Sequence, residues 1–527
     1  MLTQEDRAEY DAAVIDIGSN SIRLVIYRLD GRAIWTVFNE KVLAGLGREV
    51  IHTGRLAPDG VEAGLGALRR FKAVLEAARP ATVQVVATAA VREASDGPAF
   101  VDKVREMTGL TVRVLSGEEE ARFAALGVLA GAPDAQGLVG DLGGSSLELT
   151  PIAAGAPSRG VTLPLGPFAL RGPDGFDLER IRARVGRILA RYESRAPGGI
   201  LYAVGGGWRN LALLQMRIAT YPLRIVHQYE ISGAEALDAA RFIARQSRSS
   251  LERIEGVSKR RLDTIPFAAL VLEGLIERLG VERISISAYG VREGLLFDAM
   301  SEALRAQDPL IAGAVALGAR SGLGEDLGPA LETWLKPLFQ ALPPVFEGRD
   351  PTLIAAACRM ADLGARLHPD HRADLVFEQV LRAPIAGLNH AERAFLAVVL
   401  FARHTAATGT PDRNAISRLL SPERMARARA LGAAMRLGCD LSGRSPALLG
   451  HSNIAIEDDA VVLTADPGWA DMLLGEQTAK RASTLADLLD LGLRMGGSPT
   501  TQPPAAPGAP RPPARGFHPG PGPARRA

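Results

Sequence analysis

The chain is poor in cysteine: Cys358 and Cys439 are the two thiols among 527 residues. Two cannot staple a disulfide scaffold or complete a cysteine-rich zinc site, and their scarcity suits a reducing compartment. Long apolar runs are missing as well. The longest candidate, Phe395 to Ala402, falls well short of the roughly 18 residues a membrane-spanning helix needs, so a soluble chain with no membrane partner is expected. Met1 to Asp11 is acidic where an export signal would be basic and then apolar, which points to the cytoplasm. Nor is there an excess of one charge. The formal +2 includes four arginines of the last thirty residues (Arg511, Arg515, Arg525, Arg526), and taking these away leaves −2 for residues 1–497. A uniformly basic nucleic-acid binder is thereby excluded.

What is present has the size of three to four domains, at about 150 residues each. Up to about residue 305, short β-rich runs alternate with helical stretches. The strands are Ala12 to Ile17, Leu24 to Leu29, Thr82 to Ala87, Thr111 to Leu115, Leu138 to Asp141, Ile200 to Val204 and Arg283 to Ser287. The helices include Leu65 to Ala78 and Ala234 to Gln246, and the alternation predicts an α/β fold. From 306 to 435 the apolar residues keep helical spacing, as in Pro351 to Leu367 and Ala391 to Arg403, which predicts an all-helical domain. A small α+β module is expected over 436–495: a hairpin, Asn453 to Ile456 with Val461 to Thr464, and a helix Leu474 to Leu493. Beyond it, ten prolines fall between Pro499 and Pro523, so 496–527 is expected to be a disordered tail.

One motif occurs twice. Asp16-Ile17-Gly18-Ser19-Asn20-Ser21 reappears as Asp141-Leu142-Gly143-Gly144-Ser145-Ser146, each copy between an apolar strand and a second strand. Gly and Ser in a tight turn let backbone N–H groups converge on phosphate oxygens, with hydroxyls as further donors. A single copy reads equally well as a plain hairpin turn; two copies with an Asp at the same offset suggest two lobes offering phosphate loops to one cleft.

Between them lies Ser116-Gly117-Glu118-Glu119-Glu120 at the start of a helix. Ser116 and Glu119 have the spacing of a capping box, which occupies Glu119 and leaves Glu120 available as a general base. Arg92, after the strand ending at Ala87, is placed to fork onto phosphate. Glu148, on the returning strand, is placed to join Asp141 around Mg²⁺. Gly205 and Gly206 end a strand and open the helix Trp208 to Met216, an anion-binding layout. Ser287-Ala288-Tyr289-Gly290-Val291-Arg292-Glu293-Gly294 likewise joins a strand to a helix.

In order, AVIDIGSNSIRLVIY, ATAAVREASDG, VLSGEEEARFAALGV, LVGDLGGSSLELT, YAVGGGWRNLA and ISAYGVREGLLFD resemble the exopolyphosphatase / guanosine pentaphosphate phosphohydrolase family. The resemblance covers about residues 12 to 300. It implies two actin-like (ribonuclease H-like) lobes, 1–128 and 129–305, and Mg²⁺-dependent hydrolysis of a terminal phosphoanhydride with Glu120 activating water. It places metal duties on Asp16, Asp141 and Glu148, and phosphate duties on Gly18, Ser19, Asn20, Ser21, Gly143, Gly144, Ser145 and Ser146. Inorganic polyphosphate is the substrate it implies first and guanosine pentaphosphate the alternative; a homodimer is implied too. A non-catalytic sensor of such ligands is the rival from another class. The sequence departs from the family pattern at Ser145, Leu147 and Trp208, the last expected to alter what fits beside the glycine loop.

The helical domain resembles HD-type phosphohydrolases in degenerate form, because Ala361 stands before Asp362 where a ligand His is required. Without it His368, His371, His390 and His404 are expected at the surface or in caps. Lys259-Arg260-Arg261 and arginines of the helical domain are candidates to line a path for a long anion, though a charge run is ordinarily a solvated face.

Overall fold

The computed structural model describes residues 9–172, 175–192, 196–253, 262–318 and 327–497. Lys259-Arg260-Arg261 and all but two residues of the expected tail lie outside them.

The first sheet has five strands: β1 (Tyr10–Ile17), β2 (Ile22–Asp30), β3 (Ala33–Val42), β4 (Thr82–Ala87) and β5 (Arg113–Val114), in the order β3-β2-β1-β4-β5. β1 pairs with β2 antiparallel and with β4 parallel. The second sheet repeats this plan with β6 (Gly137–Leu142), β7 (Leu147–Ala153), β8 (Ala156–Pro157), β9 (Val161–Leu163), β10 (Ile200–Val204), β11 (Tyr229–Ser232) and β12 (Arg283–Ile286). Its order is β11-β12-β10-β6-β7-β8, with β9 beside β7. β6 again returns antiparallel into β7 and lies parallel to β10. One topology is thus used twice, and the repeated motif is the β1–β2 turn of one lobe and the β6–β7 turn of the other.

The lobes meet on two crossing helices, Gly117–Gly131 and Val291–Ala299. Glycine makes the crossing possible. A Cβ on Gly294 would lie 1.9 Å from the Phe123 carbonyl oxygen, and one on Gly127 would lie 2.1 Å from that of Gly290, so the two backbones touch directly. From the second helix, adjacent side chains reach back into the first lobe: Arg292 Nη1 donates to Asp16 Oδ2 at 2.9 Å, and Tyr27 Oη donates to Glu293 Oε1 at 2.6 Å.

Helices fill most of 309–449 and share one apolar core with a third sheet, β13 (Ser452–Glu457), β14 (Ala460–Ala465) and β15 (Gly492–Gly497). The helix Pro422–Ser442 runs straight through position 435, where the sequence suggested a boundary. The helix expected over Leu474 to Leu493 is Glu476–Leu489; Asp490 turns left-handed (φ 56°) and stops it, as C-terminal caps do. The chain then enters β15, which pairs parallel with β14 through Gly497, so residues 496 and 497 belong to the sheet and not to the tail. The expected helix Pro351 to Leu367 is likewise shorter, Asp350–Arg359.

This C-terminal half is packed onto the lobes. Gly387 N–H donates to the Gly131 carbonyl at 2.9 Å, and Arg418 Nη2 to that of Ala219 at 3.4 Å. His390, expected at the surface, is buried. Its Nε2 lies 3.2 Å from the His227 carbonyl oxygen and its Nδ1 2.9 Å from Tyr221 Oη, so in the neutral ring Nε2–H donates and Nδ1 accepts. His404 is partly buried, with Nε2 2.9 Å from the Leu363 carbonyl. Among the described residues no helix is long and apolar enough to cross a membrane.

Candidate active site

The two Gly/Ser turns close identically: Gly18 N–H donates to the Ser21 carbonyl at 3.0 Å and Gly143 N–H to that of Ser146 at 2.9 Å. They face each other across the cleft, for a Cβ on Gly144 would be 3.1 Å from Ser19 Cβ and 3.3 Å from Asn20 N. The strand register then separates their chemistry. Asp16 stands opposite Arg23, whereas Asp141 stands opposite Glu148. Like charges directly across a ladder repel, so the second turn holds an acid pair in need of a cation.

The cleft between the lobes has a volume of about 390 Å³. Of the candidates taken from the sequence, Asp16, Gly18, Ser19, Asn20, Ser21, Glu120, Asp141, Gly143, Gly144, Ser146, Glu148, Gly205 and Gly206 all line it. Arg92 and Ser145 sit behind the wall. Arg92 Nη1 donates to Glu120 Oε2 at 3.0 Å and to the Leu115 carbonyl at 2.9 Å, so Arg92 positions the acid. Ser145 is buried, with an Oγ that has no hydrogen-bond partner.

The Gly117–Gly131 helix begins in a capping box. Ser116 Oγ accepts from Glu119 N–H at 3.2 Å, and Glu119 Oε2 accepts from Ser116 N–H at 2.9 Å. Glu119 stays at the surface. Glu120, one residue on, is 7% exposed. Burial pushes its pKa up to about 7, against the Arg92 guanidinium, with the Asp16 carboxylate pushing the same way as burial. Asp141 is also raised to about 7, by burial and then by Glu120 and Asp16. Glu148 is held well above the usual carboxylate range, first by burial and then by the charges of Glu120 and Asp141.

The residues fit a hard divalent cation. Glu148 Oε1 is buried without a hydrogen-bond partner, and a buried acid pair is relieved by positive charge. Among the described residues no three His, Cys, Asp or Glu side chains form a ready-made metal cage. Mg²⁺ does not require one, since it is commonly held by one or two carboxylates together with water and substrate phosphate.

Trp208 departs from expectation. It is fully buried, its Nε1–H donates to the Ala268 carbonyl at 3.0 Å, and its ring lies against Gly140; it fills the core of the second lobe instead of shaping the cleft. Gly205 has φ 103°, and a Cβ on it would lie 2.4 Å from the Leu142 carbonyl oxygen. Only glycine serves there, and the helix Gly206–Ile218 starts at the cleft wall. Arg23, Lys41, Arg209 and Asn210, to which the sequence alone assigned no role, also line the cleft, as does Arg292 of the Ser287–Gly294 junction. Arg209 is largely enclosed, and burial followed by the neighbouring Arg292 lowers its pKa.

A duplicated α/β lobe whose two Gly/Ser turns face one cleft lined by both acids and arginines is the two-lobed plan of the actin-like fold. Comparison with known families narrows the class. Residues 25–303 match the Ppx/GppA phosphatase family and residues 344–495 the exopolyphosphatase C-terminal family, and the chain belongs to the Ppx/GppA family. It is 27% identical over 433 residues to retrograde regulation protein 2 of Saccharomyces cerevisiae, covering 74% of this chain and 72% of that protein. Among solved structures it resembles an exopolyphosphatase from Cytophaga hutchinsonii, at 22% identity and TM-score 0.50, over 55% of this chain and 97% of that one. The Aquifex aeolicus member of the Ppx/GppA family is similar at 25% identity and TM-score 0.49, over 55% and 97%.

Proposed function

We propose that the protein is an exopolyphosphatase, hydrolysing the terminal phosphoanhydride of inorganic polyphosphate and releasing orthophosphate. The observation that carries this is Glu120: a carboxylate in the cleft wall, fixed by Arg92 at 3.0 Å and raised to about 7, where a base for water is well matched to neutral pH. Water attacks the end phosphorus, Glu120 takes its proton, and the bond to the bridging oxygen breaks, leaving a chain one phosphate shorter. The Gly18–Ser21 and Gly143–Ser146 turns bind terminal phosphate oxygens through backbone N–H groups and hydroxyls, and Arg209 and Arg292 counter the charge as it shifts. Asp141 and Glu148 would hold Mg²⁺, whose contribution is to neutralise phosphate oxygens. Guanosine pentaphosphate is the second substrate in view, because Leu213 and Val226 give the cleft apolar wall against which a base can rest.

Purified protein with long polyphosphate, guanosine pentaphosphate or neither, followed by orthophosphate release, tests this reading. Release is expected with Mg²⁺ and is expected to vanish in EDTA and return on adding the ion. Full turnover in chelator would remove the metal assignment, and tight binding of either ligand without release would favour a sensor, a reading consistent with the name of the yeast relative.

A further inference from the structure

One wall of the cleft is held by a residue that is itself held by the helical half. After β12 the chain runs through Ser287-Ala288-Tyr289-Gly290 into the helix Val291–Ala299, and Ala288, Gly290, Val291 and Arg292 line the cleft. Each amide of this turn has an acceptor, as backbone withdrawn from water requires. Ser287 N–H donates to the Ala203 carbonyl at 3.0 Å, Tyr289 N–H to Ser287 Oγ at 3.1 Å and Gly290 N–H to Glu293 Oε2 at 2.9 Å. Of the four, only Ala288 relies on a side chain from another segment: its N–H donates to His227 Nδ1 at 3.1 Å.

That hydrogen bond fixes the ring. With Nδ1 accepting, the proton of neutral His227 is on Nε2, which is buried with no hydrogen-bond partner. An unpaired buried donor costs stability, so His227 is a poor core filler and its use is the acceptor it offers Ala288. Tyr289 stacks on the same ring, with centroids 4.9 Å apart. The helical half grips His227 by its backbone, for the His227 carbonyl accepts from His390 Nε2–H at 3.2 Å while Tyr221 Oη donates to His390 Nδ1 at 2.9 Å. Burial above all holds both imidazoles low, His227 to about 3 and His390 to about 4, so at neutral pH each keeps one donor and one acceptor nitrogen.

We propose that His227 and His390 are positioning residues for the cleft, through which the helical half sets the 288–292 wall and with it Arg292. The inference rests on the cleft being the site of phosphoanhydride hydrolysis. Three hydrogen bonds make the path: His390 to the His227 carbonyl, Ala288 to the His227 ring, and Arg292 to Asp16. A wall that shifts moves Arg292 relative to the reacting phosphate, and a misplacement of about 1 Å can cost about 10²-fold in rate.

His390→Leu, which removes the donor, and His390→Gln, whose amide keeps one at the place of Nε2, separate positioning from packing in the full chain. In His390→Leu, hydrogen exchange of the Ala288 amide is expected to quicken, and kcat for orthophosphate release from tripolyphosphate with Mg²⁺ to fall roughly tenfold with KM little changed. His390→Gln is expected to restore both. His227→Asn, with Oδ1 at the place of Nδ1, should keep the parent values and His227→Leu should lose them, with no further loss in His227→Leu/His390→Leu, since residues in one path are not additive. Unchanged Ala288 exchange in His390→Leu, equal losses in the leucine and amide variants, or additive losses in the double variant overturns the proposal. If a leucine variant fails to fold by circular dichroism, His390→Asn or His227→Gln, whose amides no longer reach the His227 carbonyl or Ala288, replaces it with the same expected losses, and parent-like values there overturn the proposal. Exchange is read without substrate, so a parent protein that releases no orthophosphate removes the cleft reading while the Ala288 amide still decides the coupling.

Discussion

Glu120→Gln is expected to lower kcat for phosphate release by about 10²-fold or more, the usual contribution of a positioned general base, while the protein remains folded and still binds its anion. The amide keeps the size of the carboxylate and can stay near Arg92, so packing changes little; what disappears is the group that accepts the proton of water. Glu119→Gln is the matching control. It lies one residue away but spends its carboxylate on the Ser116 amide, so its effect should be on stability, roughly 0.5–1 kcal/mol for a weakened cap, with kcat near that of the parent. Single-turnover assays with Mg²⁺ separate the two, and equal rates for Glu120→Gln and the parent would remove Glu120 from the chemistry.

The second large effect belongs to the helix crossing. Gly294→Ala puts a methyl where the Phe123 carbonyl oxygen already is, 1.9 Å away, and backbone cannot yield as a flexible side chain does. Overpacking of this kind costs about 3 kcal/mol, which in a protein of this size is on the order of a 3 °C fall in Tm. Turnover should fall with it, since one of the crossing helices carries Glu120 and the other Arg292. Gly186→Ala provides the contrast. That glycine is within the helix Leu178–Leu189 with open space around its would-be Cβ, so alanine should stabilise by roughly 0.5–1 kcal/mol. Scanning calorimetry on the two variants decides; an unchanged Tm for Gly294→Ala would mean that the helices separate without cost.

The parts of this architecture legible in the sequence were those written in short-range pattern. The runs ending at Ile17, Ala87 and Val204 are strands with those ends, because apolar continuity and a following turn residue occur together. The capping-box spacing of Ser116 and Glu119 by itself separates Glu119 from Glu120. Long-range pairing left no such mark. Arg209 and Arg292 stand in the first turns of helices, where an arginine looks like surface, and Arg292 meets Asp16 only because the chain returns 276 residues later. β3 alternates weakly, with exposed Thr36 and Val37 in its middle, and so lacked a strand's period. The overrun of the last helix has a local cause, since Leu489 and Leu493 keep the i, i+4 spacing of a helix while Asp490 changes the backbone's hand. Trp208 was misplaced for a similar reason: its position beside the glycine loop was readable, but which way the ring turned depended on the space left by Gly140.

Arg292 and Glu293, neighbours on one helix, grip the first lobe by opposite charges. To part the lobes at that point would strip Asp16 of its cation and Glu293 of the Tyr27 hydroxyl together, and abandoning a buried charge is among the more expensive events in a protein. The molecule is therefore fastened at the 291–299 helix like a book at its spine. An opening of the lobes that keeps the link between Asp16 and Arg292 is then a rotation about that spine, and it would move the Ser19 and Ser146 turns apart.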